Sequence, residues 1–367
     1  MELNISDVPS RHDIEKRIVP SNTARACGED LIPNEIFKSN PSLFSEILLP
    51  LTLKITCRIQ QPIQHKGGLM FELYKNKGGE HHNCKAYRGI LATSHMAKIV
   101  QGAVRDRGRD KYEEHLRCNQ LGGKRHTATD FGVHMVNLFF WQCSKKGFSA
   151  GGLFVDVVAA FYSVIRPLVI NMGTSDEDIA TLLHQLNLEP GVMGDIYEAI
   201  KKGSMMSEAG FDQHYESVVA EFHKETWFSN QSVAEITESR VGTMPGVPFA
   251  DFIFNICFRK VLDNITLDLE RAGMTVHIAH SGEREIPATR DAMQNKTLTL
   301  SDITWADDAV FLIADKDPTT LLAKMTLAAS IVWEKLQSMN LAVNLDAGKT
   351  EGMVSLRGPR AKTAEKW

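Results

Sequence analysis

Two adjacent carboxylates, Asp307 and Asp308, sit inside the run "ITWADDAVFLI" (303–313), between flanks that are apolar, aromatic and β-branched. Such flanks read as buried strand, and a hairpin would bring both acids to its tip. Like charges so close repel, and removing them from water is costly unless something positive offsets it. A hard divalent cation is the usual partner, because it takes oxygen ligands. The alternative is an acidic turn, solvated and idle. A third carboxylate, Asp156 in "LFVDVVAAF", has apolar residues on both sides. It either caps a helix that follows the strand or stands at the strand end, facing a neighbouring hairpin tip. In the second arrangement Asp156, Asp307 and Asp308 converge from separate strands, as ligands for two Mg2+ ions about 4 Å apart, with Mn2+ as a substitute. Two such ions activate a hydroxyl nucleophile and steady a pyrophosphate leaving group during in-line displacement.

The elements that must position these acids can be read along the chain. Residues 1–40 are polar and turn-rich, which predicts a loosely ordered N-terminal extension. A helix is expected over 42–60, and a hairpin or long loop over 61–90, where Gly, Lys, His and Asn dominate. Helices follow over 93–117, with Ser94 as a possible cap, and over 127–145. Residues 151–165 begin as an apolar strand and become helical. Two short helices fill 176–203, and "TWF" and "SRVGT" read as strand pieces around a loop. A strongly apolar helix covers 248–265 with Pro248 at its start. Several strands occupy 272–313. Residues 317–339 form an amphipathic helix with Asp317 as cap and Pro318 at its first position. "LAVNL" (341–345) reads as a strand. Helices mixed with hairpin-type strands make the class α+β.

The 367 residues, 43% hydrophobic and 23% charged, have an ordinary globular composition, enough for two or three domains. No apolar run reaches membrane-spanning length, and the N-terminus carries no secretion-signal pattern, so an intracellular protein without a membrane partner is expected, in nucleus or cytoplasm. The six cysteines are scattered with no C-x-x-C pair, which argues against a zinc ribbon or a disulfide framework. The adjacent His81 and His82 read as loop. Net charge is −4, but residues 54–125 hold 15 Lys and Arg against 6 acids, leaving +9 there and −13 elsewhere. A basic lobe and an acidic lobe suit phosphates on one side and cations on the other; the alternative is a solvated basic face.

"LFVDVVAAFYSV", then "GTMPGVPFADFIFN", then "WADDAVFL" resemble, in order and spacing, motifs A, B and C of reverse transcriptases, especially those of non-LTR retrotransposons. "LAVNLDAGKTEGM" is similar to motif D, "KNKGGEHHNCKAYRGI" to a fingers motif, and "QLGGKRHT" to the segment that follows it. The resemblance spans about residues 25–357. It implies a right-hand polymerase fold: an N-terminal extension over 1–40, fingers over 41–150, a palm over 151–357 built as an antiparallel sheet with packed helices, and a tail over 358–367. It implies template-directed DNA synthesis on an RNA (or DNA) template, with a DNA primer and dNTPs as partners. The metal ligands are then Asp156, Asp307 and Asp308. Lys349 protonates the leaving pyrophosphate. Lys75 or Lys77, with Arg88, neutralises the triphosphate. Phe161 crowds a ribose 2′-hydroxyl and so favours deoxynucleotides, unless it is simply a core Phe. Gly246 lets backbone approach the nucleotide, and Gln120, Gly122 and Gly242 face the template.

The sequence departs from the family in three ways. Pro245 stands where motif B commonly has Gln. The residues after motif D are too few for a primer grip and thumb, so a thumb is expected to be missing and processivity poor. Nothing resembles an endonuclease, a ribonuclease H region or a zinc knuckle. A truncated or degenerate retroelement fragment, idle but still binding nucleic acid, is therefore the competing reading. A nucleotidyl cyclase of palm type would need Gly-Gly before the acids, where this chain has Trp305-Ala306.

Overall fold

The computed structural model describes residues 2–75, 81–186, 188–230, 235–244, 246–281 and 295–365, without the side chains of 85 and 277–299. Helices alternate with strands that pair mostly antiparallel. Contacts divide the chain into two units, one of residues 1–115 and 161–257, the other of 116–160 and 258–367. Among the described residues the strands are β1 (Gly67–Tyr74), β2 (Tyr87–Thr93), β3 (Ser149–Val155), β4 (Thr226–Asn230), β5 (Ile236–Ser239), β6 (Val276–Ser281), β7 (Asn295–Leu300), β8 (Asp302–Trp305), β9 (Asp308–Asp315) and β10 (Glu351–Ser355). Among the described residues no helix is long and apolar enough to cross a membrane.

The first unit holds the sheet β2-β1-β4-β5. β1 and β2 form the expected antiparallel hairpin, with Gly68 opposite Thr93 and Tyr74 opposite Tyr87, and β1 runs parallel to β4. Helix Pro41–Arg58 starts under an Asn40 cap, and His95–Arg107 under the expected Ser94 cap. Residues 2–40 are ordered, contrary to their polar look. Ser10 and Asp13 close a capping box on helix Arg11–Ile18. Ile14, Ile18 and Phe37 are buried with Leu48, Ile99 and Ala103. A few apolar residues at helical spacing are enough to dock a polar segment. Helix Ala250–Arg271 supplies residues to both units, up to Cys257 in the first and from Phe258 in the second.

In the second unit the sheet β10-β3-β9-β8 is antiparallel throughout. Two consecutive glycines in β3 explain how helices cover it. A Cβ on Gly151 would lie 2.4 Å from Met325 Sδ, and one on Gly152 would meet Phe140 at 3.5 Å. Successive strand residues face opposite sides. Helix Pro318–Gln337, which carries Met325, therefore packs one face, and helix Thr129–Lys145, which carries Phe140, packs the other. Asp317 caps the former as expected, accepting from the amides of Thr319 and Thr320. Phe139, Cys143, Ala150, Ile303, Val310 and Leu312 form the core on the latter side.

Two expectations change and one narrows. Residues 341–345 are not a strand; they contribute the single bridge Val157–Val343, and β10, further on, takes the place beside β3. An Asn344 side chain that accepts from the amide of Asp346 turns the chain before pairing can extend. Residues 151–165 turn from strand to helix as expected, but only as one short turn. After β3 come a left-handed Ala159, a single 3-10 turn at Ala160–Ser163 and the four-residue helix Arg166–Val169. "SRVGT" leaves the sheet after Ser239.

Candidate active site

β8 and β9 form a hairpin whose last pair is Trp305 opposite Asp308, so Ala306 and Asp307 make a two-residue tip. Ala306 takes φ +54°, a left-handed conformation that costs energy for a residue with a Cβ. Strain of this kind needs support, and the segment at 119–122 supplies it. The Leu121 amide donates to Thr304 O at 2.9 Å and the Thr304 amide to Asn119 O at 3.1 Å, so this segment runs beside β8. Gly122 abuts the tip: a Cβ there would fall 2.2 Å from the Ala306 nitrogen. At the base of the hairpin, Asp302 is fully buried. Arg117 Nη1 meets its Oδ1 at 2.9 Å, and Ser301 Oγ donates to the same oxygen at 2.6 Å. Burial pushes the Asp302 carboxyl above its ordinary range, against the pull of Arg117.

The third acid is adjacent through strand register. Val155 of β3 pairs with Ala309 of β9, so Asp156 follows β3 where Asp308 begins β9. Asp156 caps no helix. Asn344 Nδ2 donates to its Oδ2 at 2.7 Å and Lys349 Nζ to its Oδ1 at 3.0 Å. Its backbone is held as well: the Asp156 amide donates to Thr350 Oγ1 at 3.2 Å, and Asp156 O accepts from the Asn344 amide at 2.8 Å. Partial burial raises the Asp308 carboxyl, and the charges of Asp307 and Asp156 raise it further, with Lys349 opposing. The three acids thus share one electrostatic environment with excess negative charge. Their oxygens suit a hard cation, and the unfavourable field at Asp308 is one that a cation relieves. Their ligand atoms do not, as a set, lie within 4.8 Å of one another. Asp156 is turned to Asn344 and Lys349 instead, with the Lys349 ammonium supplying positive charge.

Gln120, Gly122 and Lys349 belong to the same unit as the three acids. Gln120 is fully buried beside Thr304, and Gly122 packs on the hairpin tip, so both act here as supports of the acidic turn. The remaining candidates lie in the first unit. Arg88 is exposed on β2 opposite Leu73, and Lys75 follows β1 with its amide donating to Ala86 O at 2.8 Å. Lys77 and Pro245 fall outside the described residues. Phe161 is half-buried with its ring 4.8 Å from that of Phe254, and its carbonyl accepts from the Thr243 amide at 2.6 Å. Gly242 needs its glycine: φ is +74°, and a Cβ would lie 2.5 Å from the Tyr162 backbone. Gly246 has φ +108° and sits close to Leu91 O. The structure therefore gathers Phe161, Gly242 and Thr243 in one place.

Several residues that bear on these sites were not legible as such in the sequence. Asn344 and Thr350 hold Asp156. Arg166, 3% exposed, donates to the carbonyls of Gly242, Val241, Ser239 and His223 and to the hydroxyls of Thr226 and Ser239. It thereby fixes the 239–242 turn that leads to Gly246. Burial lowers the Arg166 guanidinium to about 10, and burial together with Arg166 lowers His223 to about 3, so His223 stays neutral. A groove of about 750 Å³ in the first unit is lined by Arg17, Arg25, Lys98, Phe71, Ile90 and Gly246. Burial and the neighbouring Arg25 lower the Lys98 ammonium. No protein-family model matches the chain, and no curated protein matches it.

Proposed function

We propose that the chain is an RNA-directed DNA polymerase domain of reverse-transcriptase type, with a palm around the sheet β10-β3-β9-β8 and fingers around the β1–β2 hairpin. One observation carries the reading: Asp156, Asp307 and Asp308 stand at the ends of neighbouring antiparallel strands, where the charges of Asp307 and Asp156 add to burial in raising the Asp308 carboxyl. Two Mg2+ ions, when bound by these carboxylates, would supply activation of the primer 3′-hydroxyl and charge neutralisation at the departing pyrophosphate. Asn344 orients Asp156. Lys349, on a flexible stem, leaves Asp156 and gives a proton to the pyrophosphate. Lys75, Arg88 and the groove of Arg17, Arg25 and Lys98 attract phosphates of the RNA template, DNA primer and dNTP without reading sequence. Phe161 discriminates against a ribose 2′-hydroxyl.

A second reading is a folded remnant that binds nucleic acid without catalysis. The observation in its favour is that both Asp156 oxygens are already engaged by Asn344 and Lys349. Primer extension separates the two, using an RNA template, an annealed DNA primer, dNTPs and Mg2+ at low salt, with Asp307→Asn as control. Extension lost in the control supports the polymerase. Equal extension by both proteins overturns the metal-ligand assignment, and no extension by folded wild-type protein supports the remnant.

A further inference from the structure

A second cluster of ligand-type side chains lies far from these acids in sequence, within the first unit. Asp7 ends the short turn Ile5–Asp7, and Asp212 caps helix Gln213–His223, whose second residue is His214. One ligand atom from each of Asp7, Asp212 and His214 lies within 4.8 Å of the other two. His214 is 2% exposed and Asp7 8%.

The hydrogen bonding leaves an unanswered demand at the centre of this cluster. His214 Nε2 lies 2.8 Å from Thr56 O. A carbonyl only accepts, so Nε2 carries a proton, and in the neutral ring Nδ1 presents its lone pair. Nδ1 is buried with no hydrogen-bond partner and faces Asp7 Oδ2 at 3.7 Å, an oxygen that is buried and without a partner as well. In that neutral form a lone-pair nitrogen faces a carboxylate oxygen across a gap too long for a hydrogen bond. The surroundings hold the group in place: Asp212 Oδ1 accepts from the Tyr215 amide at 2.9 Å, and its Oδ2 from Asn4 Nδ2 at 3.0 Å, with Lys111 Nζ 3.5 Å away.

We propose that Asp7, Asp212 and His214 bind a divalent transition-metal ion, Zn2+ in chemical class, with water completing the coordination. One imidazole nitrogen and two carboxylate oxygens form a borderline donor set that suits Zn2+, Co2+ or Mn2+ and disfavours Mg2+, which prefers all-oxygen shells. The Thr56 carbonyl on Nε2 is the partner that orients a metal-bound histidine and raises its basicity. The ion ties residues 4–7 to the start of helix Gln213–His223, so its role is structural, and the site is independent of the polymerase reading.

The test uses the full chain after chelator treatment, titrated with Co2+ and followed by visible absorption, with Zn2+ competition. The background protein carries Asp156→Asn and Asp307→Asn, so that ions at the other acids do not report. The expected result is one Co2+ per chain with an intense d–d band, displaced by Zn2+ and not by equimolar Mg2+. Affinity should fall by roughly 100-fold or more in His214→Gln and, separately, in the near-isosteric Asp7→Asn. Zn2+ should also protect the bond region around residues 4–9 from limited proteolysis. Binding that is equal in the variants, or absent from folded protein, overturns the proposal and leaves a proton shared between the carboxylates as the occupant of the gap.

Discussion

Gly122→Ala isolates the contact on which the acidic hairpin tip rests. Gly122 has no positive φ, so alanine brings no backbone strain, and the effect is steric alone. The added Cβ would lie 2.2 Å from the Ala306 nitrogen, where ordinary contact begins at 3.4 Å. The neighbour is backbone at a tip already in a left-handed conformation, so it has no flexible end to swing aside. The two segments must part by about 1 Å. Forcing one methyl into a packed contact costs about 1–3 kcal/mol, which urea unfolding monitored by tryptophan fluorescence resolves. The same 1 Å moves Asp307 and Asp308 relative to Asp156, and a displacement of that size lowers a positioned reaction by about 100-fold. Single-nucleotide extension measures this, with Gly194→Ala as control. Gly194 lies within helix Pro190–Lys202 with no heavy atom near its would-be Cβ, so that substitution should stabilise by up to about 1 kcal/mol. A Gly122→Ala protein as stable and as active as wild type would refute the buttress.

Further expectations follow from the same structure. Arg117→Met leaves the fully buried Asp302 without its cation and should cost about 3–5 kcal/mol, read by denaturant unfolding, whereas Asp302→Asn in addition should recover part of it. Lys349→Met removes a half-exposed ion pair, so stability should change by less than about 1 kcal/mol. Extension rate should drop with primer–template affinity unchanged, and loss of affinity alone would exclude the proton-donor role. In chelator, stability should fall as pH rises through about 6. Burial, then Asp212, raises Asp7 to about 6, so its contribution is fully present below the ordinary carboxylate range and is lost on deprotonation. Asp212, Lys111, His214 and Tyr215 face this group, and Asp212, lowered to about 2, contributes loss only in strong acid. Zn2+ should oppose the decline between about pH 4 and 6, and a flat profile in chelator would contradict the raised Asp7.

Much of the framework could be read from local chemistry. Asp317-Pro318 and Ser94 act within their own helices, and an apolar run interrupted by Asp-Asp folds back wherever the flanks are buried. What could not be read depends on pairing between distant residues. "LAVNL" alternates like a strand, yet β3 has only one free edge beside β9, and Glu351–Ser355 takes it. Asn344 meets Asp156 across 188 residues, and Arg117 meets Asp302 across 185; a lone Asn or Arg carries no sign of that in its neighbours. In the first forty residues the S-x-x-D of Ser10 and Asp13 was a legible cap, but polar composition masked the docking of Ile14 and Ile18.

If Asp156, Asp307 and Asp308 gather divalent cations, Fe2+-directed backbone cleavage reports it at these positions. Fe2+ in place of Mg2+, with ascorbate and peroxide, cuts the chain only near where it binds. Cuts are expected beside 156, within 305–309 and within 344–350, suppressed by excess Mg2+ and absent in Asp308→Ala. Cuts confined to the neighbourhood of residues 7 and 212–214, or none that Mg2+ suppresses, would contradict it.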